Sequence, residues 1–544
     1  MAHSFLKKNL LFLAALSALP LVGCASASPA ENSLTIPLTS DKYGTFYQIF
    51  PYSFADSNGD GVGDLQGIID KLDYIDSLHY DGIWLTPVHP SETYHKYDVD
   101  DYCAIDSKFG TLATYDTLVS ECHKRGMKVL LDLVFNHTSD TNTWFNSCLY
   151  ANARTLTSDS PYYPYKNYYN IVKSTTASEG YASANAYGYP GLTYECRFWS
   201  EMPDLNLGNV LTEPDGYLAK DLKKVMSFWL KDHNVDGFRL DAVTSYFTGN
   251  QDKNAEFLKW LHDYAVSVKP NAYIVGEGAW GSPNENLNYQ TTSGCDSFFN
   301  FEDSTANGYP AQTIVHQDAT YLYSGIKKNL STVSSTGIPA PFIMNHDQGR
   351  MYGACYGSQS VNNLKFAHAL LQMMNGCSFV YYGDEIGMKV LPNTTADEDK
   401  RQPLIWGDEH QCKPVRGSTS GSDEEKAPYG SVAAQEKDSA SLLNFVKKVN
   451  AVRRAYPAIA RGEVTSLYDS ENANLSALKK TYDGKSVYLV INASKTSARD
   501  WDFSKLGVSL TLASTLCPEG TASVKGNVVS VPSQSVVILL ESSK

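Results

Sequence analysis

A chain of 544 residues is too long for one compact domain and long enough for a large domain with satellites. Its formal net charge of −14 argues against a nucleic-acid-binding surface and leaves neutral, cationic or metal partners open. Tyrosine and tryptophan are abundant, at 36 and 8 residues, a composition common in proteins that handle sugars.

Lys7 and Lys8 precede an apolar run, Leu10 to Leu21, that is too short to span a bilayer comfortably. The run ends in LVGC. Residues 1–23 therefore read as a bacterial lipoprotein signal peptide, with Cys24 as the lipidated first residue of the mature chain. The alternative is an ordinary secretory signal cut near Ala25 to Ser28. Residues 24–43, rich in Ala, Ser, Pro and Asn, read as a tether. The expectation is an extracytoplasmic protein anchored to a bacterial membrane or cell surface through Cys24. Of ten cysteines, Cys24 is one; the other nine are scattered without a CxxC pair, so neither a disulfide framework nor a zinc site is indicated.

From residue 44 the chain alternates short apolar runs with helical patterns. TFYQIF, GIWLTPV and KVLLDLVF read as strands in a first segment, residues 44–137. Between the first two, LQGIIDKLDYIDSL places Leu65, Ile68, Ile69, Leu72, Ile75 and Leu78 at helical spacing. Residues 138–204, rich in Tyr, Ser, Thr and Asn, break the alternation; a structureless loop of that length is unlikely in a compact domain, so they read as a small inserted domain. Residues 205–460 resume with DGFRLDAV, AYIVGE, CDSFFNF, PFIMNHD and CSFVYYGDE. Eight strands alternating with helices predict an α/β fold, a (β/α)₈ TIM barrel. Residues 461–544 lose the helical pattern and read as an antiparallel β-sandwich.

Polar groups gather at the ends of these runs, where such barrels build their sites. In VDGFRLDAV, Arg239 and Asp241 share one strand face, opposite Phe238 and Leu240. Asp241, Glu277 and Asp347 would converge on one pocket, where like charges raise one another's pKa. Arg239 would hold one of them ionised and so separate their roles. Paired carboxylates of this kind suit glycoside hydrolysis; the residues alone do not say which acid does which.

The chain resembles the α-amylase superfamily, glycoside hydrolase family 13. The matching motifs are DLVFNH (Asp132 to His137), GFRLDAV (Gly237 to Val243), VGEG (Val275 to Gly278) and NHDQ (Asn345 to Gln348), in the family's order, with GIWLTPV, MPDLN (Met202 to Asn206) and GDEIGM (Gly383 to Met388) in support. The resemblance implies a retaining mechanism with Asp241 as nucleophile, Glu277 as acid then base, and Asp347 as transition-state stabiliser. It implies that Arg239 keeps Asp241 ionised, that His137 and His346 bond sugar hydroxyls, and that Tyr97, in HKYDVDDY, stacks on the sugar. The implied substrate is a starch-like α-glucan. HKYDVDDY and the Ala after the nucleophile resemble endo-acting α-amylases more than exo-acting α-glucosidases. Other family 13 specificities (α-glucosidase, neopullulanase, cyclomaltodextrinase, transglycosylase) and a non-catalytic glucan-binding relative are the alternatives. No partner beyond the glucan is indicated, and a monomer is expected.

DSNGDGVGD places oxygen side chains at Asp56, Asn58, Asp60 and Asp64, with glycines that let the loop turn tightly. That pattern suits Ca²⁺, and the EF-hand's closing Glu is absent. The family resemblance adds the Val62 carbonyl as a ligand. It also raises a second calcium position between Asn136 and Asp204.

Overall fold

The structure is a computed structural model that describes residues 41–391, 396–467 and 473–542. The signal segment, Cys24 and most of the tether lie outside these residues. No helix among the described residues is long and apolar enough to cross a membrane.

Strands β1 (Thr45–Ile49), β2 (Gly82–Leu85) and β3 (Lys128–Leu133) open the barrel. β4 (Ile171–Lys173), β5 (Tyr181–Ser183) and β6 (Leu192–Glu195) form a separate antiparallel sheet in the insertion, in the order β4-β6-β5. The barrel resumes with β7 (Gly237–Leu240), β8 (Tyr273–Gly276), β9 (Ser297–Phe298) and β10 (Ser378–Tyr381). These seven barrel strands pair in parallel, in the order β10-β1-β2-β3-β7-β8-β9.

The expected strand PFIMNHD is the one departure. It forms no strand; isolated parallel bridges, Phe299 to Ala340 and Phe342 to Phe379, close the ring between β9 and β10. Pro339 and Pro341 explain this. They accept from Cys377 N–H (2.8 Å) and Phe379 N–H (3.0 Å) but have no N–H to return to the ladder. The architecture is a (β/α)₈ barrel with one irregular stave.

Alternation along the strands sorts the side chains. Phe46, Trp84, Leu130, Tyr273, Val275, Phe299 and Phe379 fill the barrel interior. Tyr47, Ile83, Leu85, Val129, Leu131, Phe238 and Ile274 face the surrounding helices. Above the apolar interior, at the carboxyl ends of the strands, the inward positions become polar: Gln48, Asp132, Arg239, Asp241. The insertion is pinned to this end by bridges from His137 to Asp204 and from Tyr169 to Leu205.

The C-terminal strands are β11 (Glu463–Ser466), β12 (Leu475–Tyr482), β13 (Lys485–Asn492), β14 (Arg499–Asp502), β15 (Leu510–Leu516), β16 (Ser523–Lys525), β17 (Val528–Val531) and β18 (Ser535–Glu541). They form two antiparallel sheets, β11-β12-β13-β18-β15 and β14-β17-β16. Leu475, Val490, Trp501, Phe503, Val529 and Val537 pack between the two. Leu478, Leu489 and Ile538 turn the other way and join the barrel's helical core. Lys480 of β12 is fully buried, and its ammonium donates to the Met373 and Ile459 carbonyls (2.7 and 2.6 Å) and to Asn375 Oδ1 (2.7 Å). Arg453 donates to the Gln372, Met374 and Gly376 carbonyls. The two side chains donate at the carbonyl end of the helix Val361–Gln372, where the helix dipole is negative.

Candidate active site

β7 carries the centre of the site. Gly237 has φ +154°, and a Cβ there would lie 1.9 Å from the Tyr273 carbonyl oxygen, so glycine is what lets β7 and β8 pair so closely. Two residues on, Arg239 points inward and lies level with Asp132 of β3. Its Nη1 reaches Asp132 Oδ1 at 2.9 Å and Asp241 Oδ1 at 2.5 Å, and its Nη2 reaches Glu277 Oε2 at 3.2 Å. Trp84 and Tyr97 rings flank the guanidinium at 5.2 and 6.0 Å.

Asp347 belongs to a second cluster. Arg401 donates to Asp347 Oδ1 (3.0 Å) and to the Tyr94 hydroxyl (3.0 Å). The Tyr97 ring stacks on His346 at 5.5 Å with 4° between planes, and its hydroxyl donates to Asp132 Oδ2 (3.0 Å). Gln48 Nε2 donates to His346 Nδ1 (2.7 Å), which leaves the ring proton on Nε2, toward Tyr97 Oη (2.7 Å) and Asp347 (3.3 Å). Burial pushes His346 down to about 3, so the ring is neutral at physiological pH. His137 is also buried, which lowers its pKa.

Asp241, Glu277, Asp347, Tyr97, His137 and His346 all line one open cleft, of about 1040 Å³ with the solvent at its mouth included; Arg239, buried, lies beneath them. The same cleft takes in residues that the sequence reading missed: His95, Phe198, Trp280, Asp397 and Arg401. Phe198 and Trp280 are more than half exposed at its rim. Asp132, below the cleft, was also missed.

The charge count around Arg239 decides protonation. One cation meets three carboxylates. Burial pushes Asp132 and Glu277 each up to about 7, Arg239 opposes the rise, and Asp241 adds to it. Asp132 and Asp241 make the shorter contacts to the guanidinium. Glu277 makes the longest of the three contacts, so the guanidinium opposes its proton least, and burial is what raises it. Burial would raise Asp347 too, but His346, then Arg401 and Arg239, together outweigh it and hold Asp347 below its usual value.

The Asp56–Asp64 loop lies apart from the cleft. Asp56 accepts from the N–H groups of Asn58, Gly59 and Gly61, Asn58 from Asp60, and Asp60 from Val62. Asp64 accepts from Ser57 and caps the following helix through Gly67 N–H (2.7 Å). The Val62 carbonyl has no intramolecular partner among the described residues. The donor set is all oxygen, as a hard cation requires. The three aspartates do not bring their oxygens within 4.8 Å of one another; the group among the described residues that meets that spacing is Asp408, Glu409 and His410, whose His410 carbonyl accepts from Asp56 N–H (3.0 Å). At the second position considered, Asp204 accepts from Asn136 (3.3 Å) and Arg197 N–H (3.2 Å).

The α-amylase catalytic-domain family model matches residues 48–462. This chain belongs to the α-amylase family, glycoside hydrolase family 13. Alpha-amylase 3 of Dictyoglomus thermophilum is 33% identical over 84% of this chain and 85% of its own length. Oligo-1,6-glucosidase of Bacillus cereus is 28% identical over 83% of this chain and 90% of its own. The solved structure of Eubacterium rectale Amy13B superposes with a TM-score of 0.84 at 36% identity, covering 93% of this chain and 97% of that one. The chain is thus a glycoside hydrolase of this family.

Infrared difference spectra taken across a pH titration should show one carboxylic-acid C=O band lost with a midpoint of about 7. The band should be missing in Glu277→Gln; its survival there would place the proton on another acid.

Proposed function

We propose that this enzyme is an endo-acting α-amylase, a retaining hydrolase of α-1,4-glucosidic bonds in starch and maltooligosaccharides. The observation that carries the reading is the single guanidinium in contact with both Asp241 and Glu277, which leaves one acid charged and the other protonated. Asp241 attacks the anomeric carbon while Glu277 protonates the departing oxygen, and a β-glycosyl ester forms. Glu277, now ionised, takes a proton from water, which cleaves the ester. Asp347, held ionised by Arg401, accepts from sugar hydroxyls as charge develops at the ring. His137 and His346 donate to hydroxyls of the same sugar. Tyr97 has one ring face on His346 and offers the other to the sugar. The cleft volume and the exposed Phe198 and Trp280 at its rim favour a bound chain longer than one glucose unit. Similarity to a named α-amylase over most of both chains supports the same reading.

Asp241→Asn should lower hydrolysis of amylose by roughly 10⁴-fold or more, as loss of an essential nucleophile does elsewhere. Early products of the unaltered enzyme on amylose should be mixed maltooligosaccharides. Glucose released alone from chain ends would replace the endo reading with an exo one, and cleavage of isomaltose would favour an oligo-1,6-glucosidase.

Ca²⁺ fits the loop by its donor chemistry. Asp56, Asn58, Asp60, Asp64 and the Val62 carbonyl would hold it, and it would supply rigidity to the segment after β1. Chelation should lower the melting temperature, and added Ca²⁺ should restore it. Asp60→Ala should abolish that difference; equal calcium dependence in the variant would remove the loop from consideration. Anchoring through lipidated Cys24 completes the proposal. Labelled palmitate should enter the expressed full-length chain and not its Cys24→Ala variant.

A further inference from the structure

At Asp241 the backbone is still part of the sheet. Its N–H donates to the Leu133 carbonyl (3.2 Å), and Glu277 N–H donates to the Leu240 carbonyl (2.9 Å). One residue later the chain departs. Ala242 has φ +50°, in the left-handed region that a residue with a Cβ enters at a cost. Its N–H finds no backbone acceptor and donates to Glu277 Oε2 at 2.9 Å. Arg239 Nη2 reaches the same oxygen at 3.2 Å. Oε2 therefore meets two donors. Oε1 has no protein partner among the described residues, and Glu277 lines the cleft.

We propose that the Ala242 amide is the positioning group of the acid. With Arg239 it occupies Oε2 and confines the transferable proton to Oε1, on the side of the scissile bond. The inference rests on Glu277 being the general acid. An oxygen already facing two N–H groups has no room for a proton of its own. Because Ala242 directly follows Asp241, one strained turn sets the direction of both carboxylates, and backbone strain held at such a point marks a functional constraint.

The proton balance gives the contact a differential role. In the first step the Oε1–H bond breaks and the proton joins the glycosidic oxygen as its bond to C1 breaks. The Asp241 oxygen bonds C1, and Glu277 becomes a carboxylate. The hydrogen bond from Ala242 then has a charged acceptor and strengthens as the charge appears. In the second step a water oxygen bonds C1, the ester bond to Asp241 breaks, and the water proton returns to Oε1. The amide thus favours the transition state over the resting acid.

The test removes only the N–H. Replacing Ala242 by its α-hydroxy analogue converts the amide to an ester. The carboxylate then loses a donor, so the acid holds its proton to higher pH. The alkaline limb of kcat/KM on maltooligosaccharides should move up by about one pH unit. kcat should fall roughly 10-fold to 100-fold with KM little changed. An aryl maltoside with an acidic phenol leaving group, which needs little protonation, should lose far less. Ala242→Gly accepts the same φ and keeps the amide, so its alkaline limb should stay in place. An unmoved limb in the ester variant overturns the proposal, as does an equal shift in Ala242→Gly. In the unaltered enzyme, the ¹⁵N-labelled Ala242 amide proton should move downfield with the midpoint of the alkaline limb; a flat response also overturns it. Full activity of Glu277→Gln on maltooligosaccharides would instead defeat the assignment of the acid.

Discussion

A single guanidinium sets the charge balance of the whole cleft. Among the described residues, Arg239 is the one cation in contact with Asp132, Asp241 and Glu277. A buried carboxylate without a partner is costly, several kcal/mol per ion by general experience, roughly as much as a large part of a domain's net stability. Three of them around one cation cannot all stay charged. Proximity ranks them: the two close acids share the cation, and the third is held by it least. On the proposed mechanism, the difference between nucleophile and acid follows from contact distances around one side chain.

Everything that holds Arg239 in place belongs to the barrel. Strand alternation turns it inward, parallel register sets it level with Asp132, and Gly237 lets β8 approach close enough to bring Glu277 to its other edge. Trp84 and Tyr97 wall it from water and so strengthen each polar contact inside. The apolar layer beneath, from Phe46 to Phe379, gives the polar layer a rigid floor. The superposed relative shares this architecture.

Much of this was legible in the chain. Period-two alternation places Arg239 and Asp241 on one face. Strand-end acids marked the rim. Other parts were not legible for identifiable reasons. PFIMNHD has the apolar content of a strand, but the prolines at 339 and 341 withhold two ladder donors, and only bridges form. Asp132 does carry a signal: it stands at inward parity in KVLLDLVF, among apolar neighbours. Arg401 carried none, because DEDKRQPLIW is irregular and nothing local says that its cation reaches Asp347. Phe198 and Trp280 sit in loops, where exposure and direction depend on how the insertion folds back, a tertiary fact without a local period.

The C-terminal sandwich is part of the barrel's construction. Its β12 sends Lys480 into the barrel body, where its buried Nζ donates to two carbonyls and an amide oxygen. A chain stopped near residue 460 would bare those acceptors and uncover the apolar patch that Leu478, Leu489 and Ile538 press against. Swapping this module for another would succeed only with a donor group reaching the same depth. Trimming the enzyme to its catalytic core would therefore cut through a load shared by both halves.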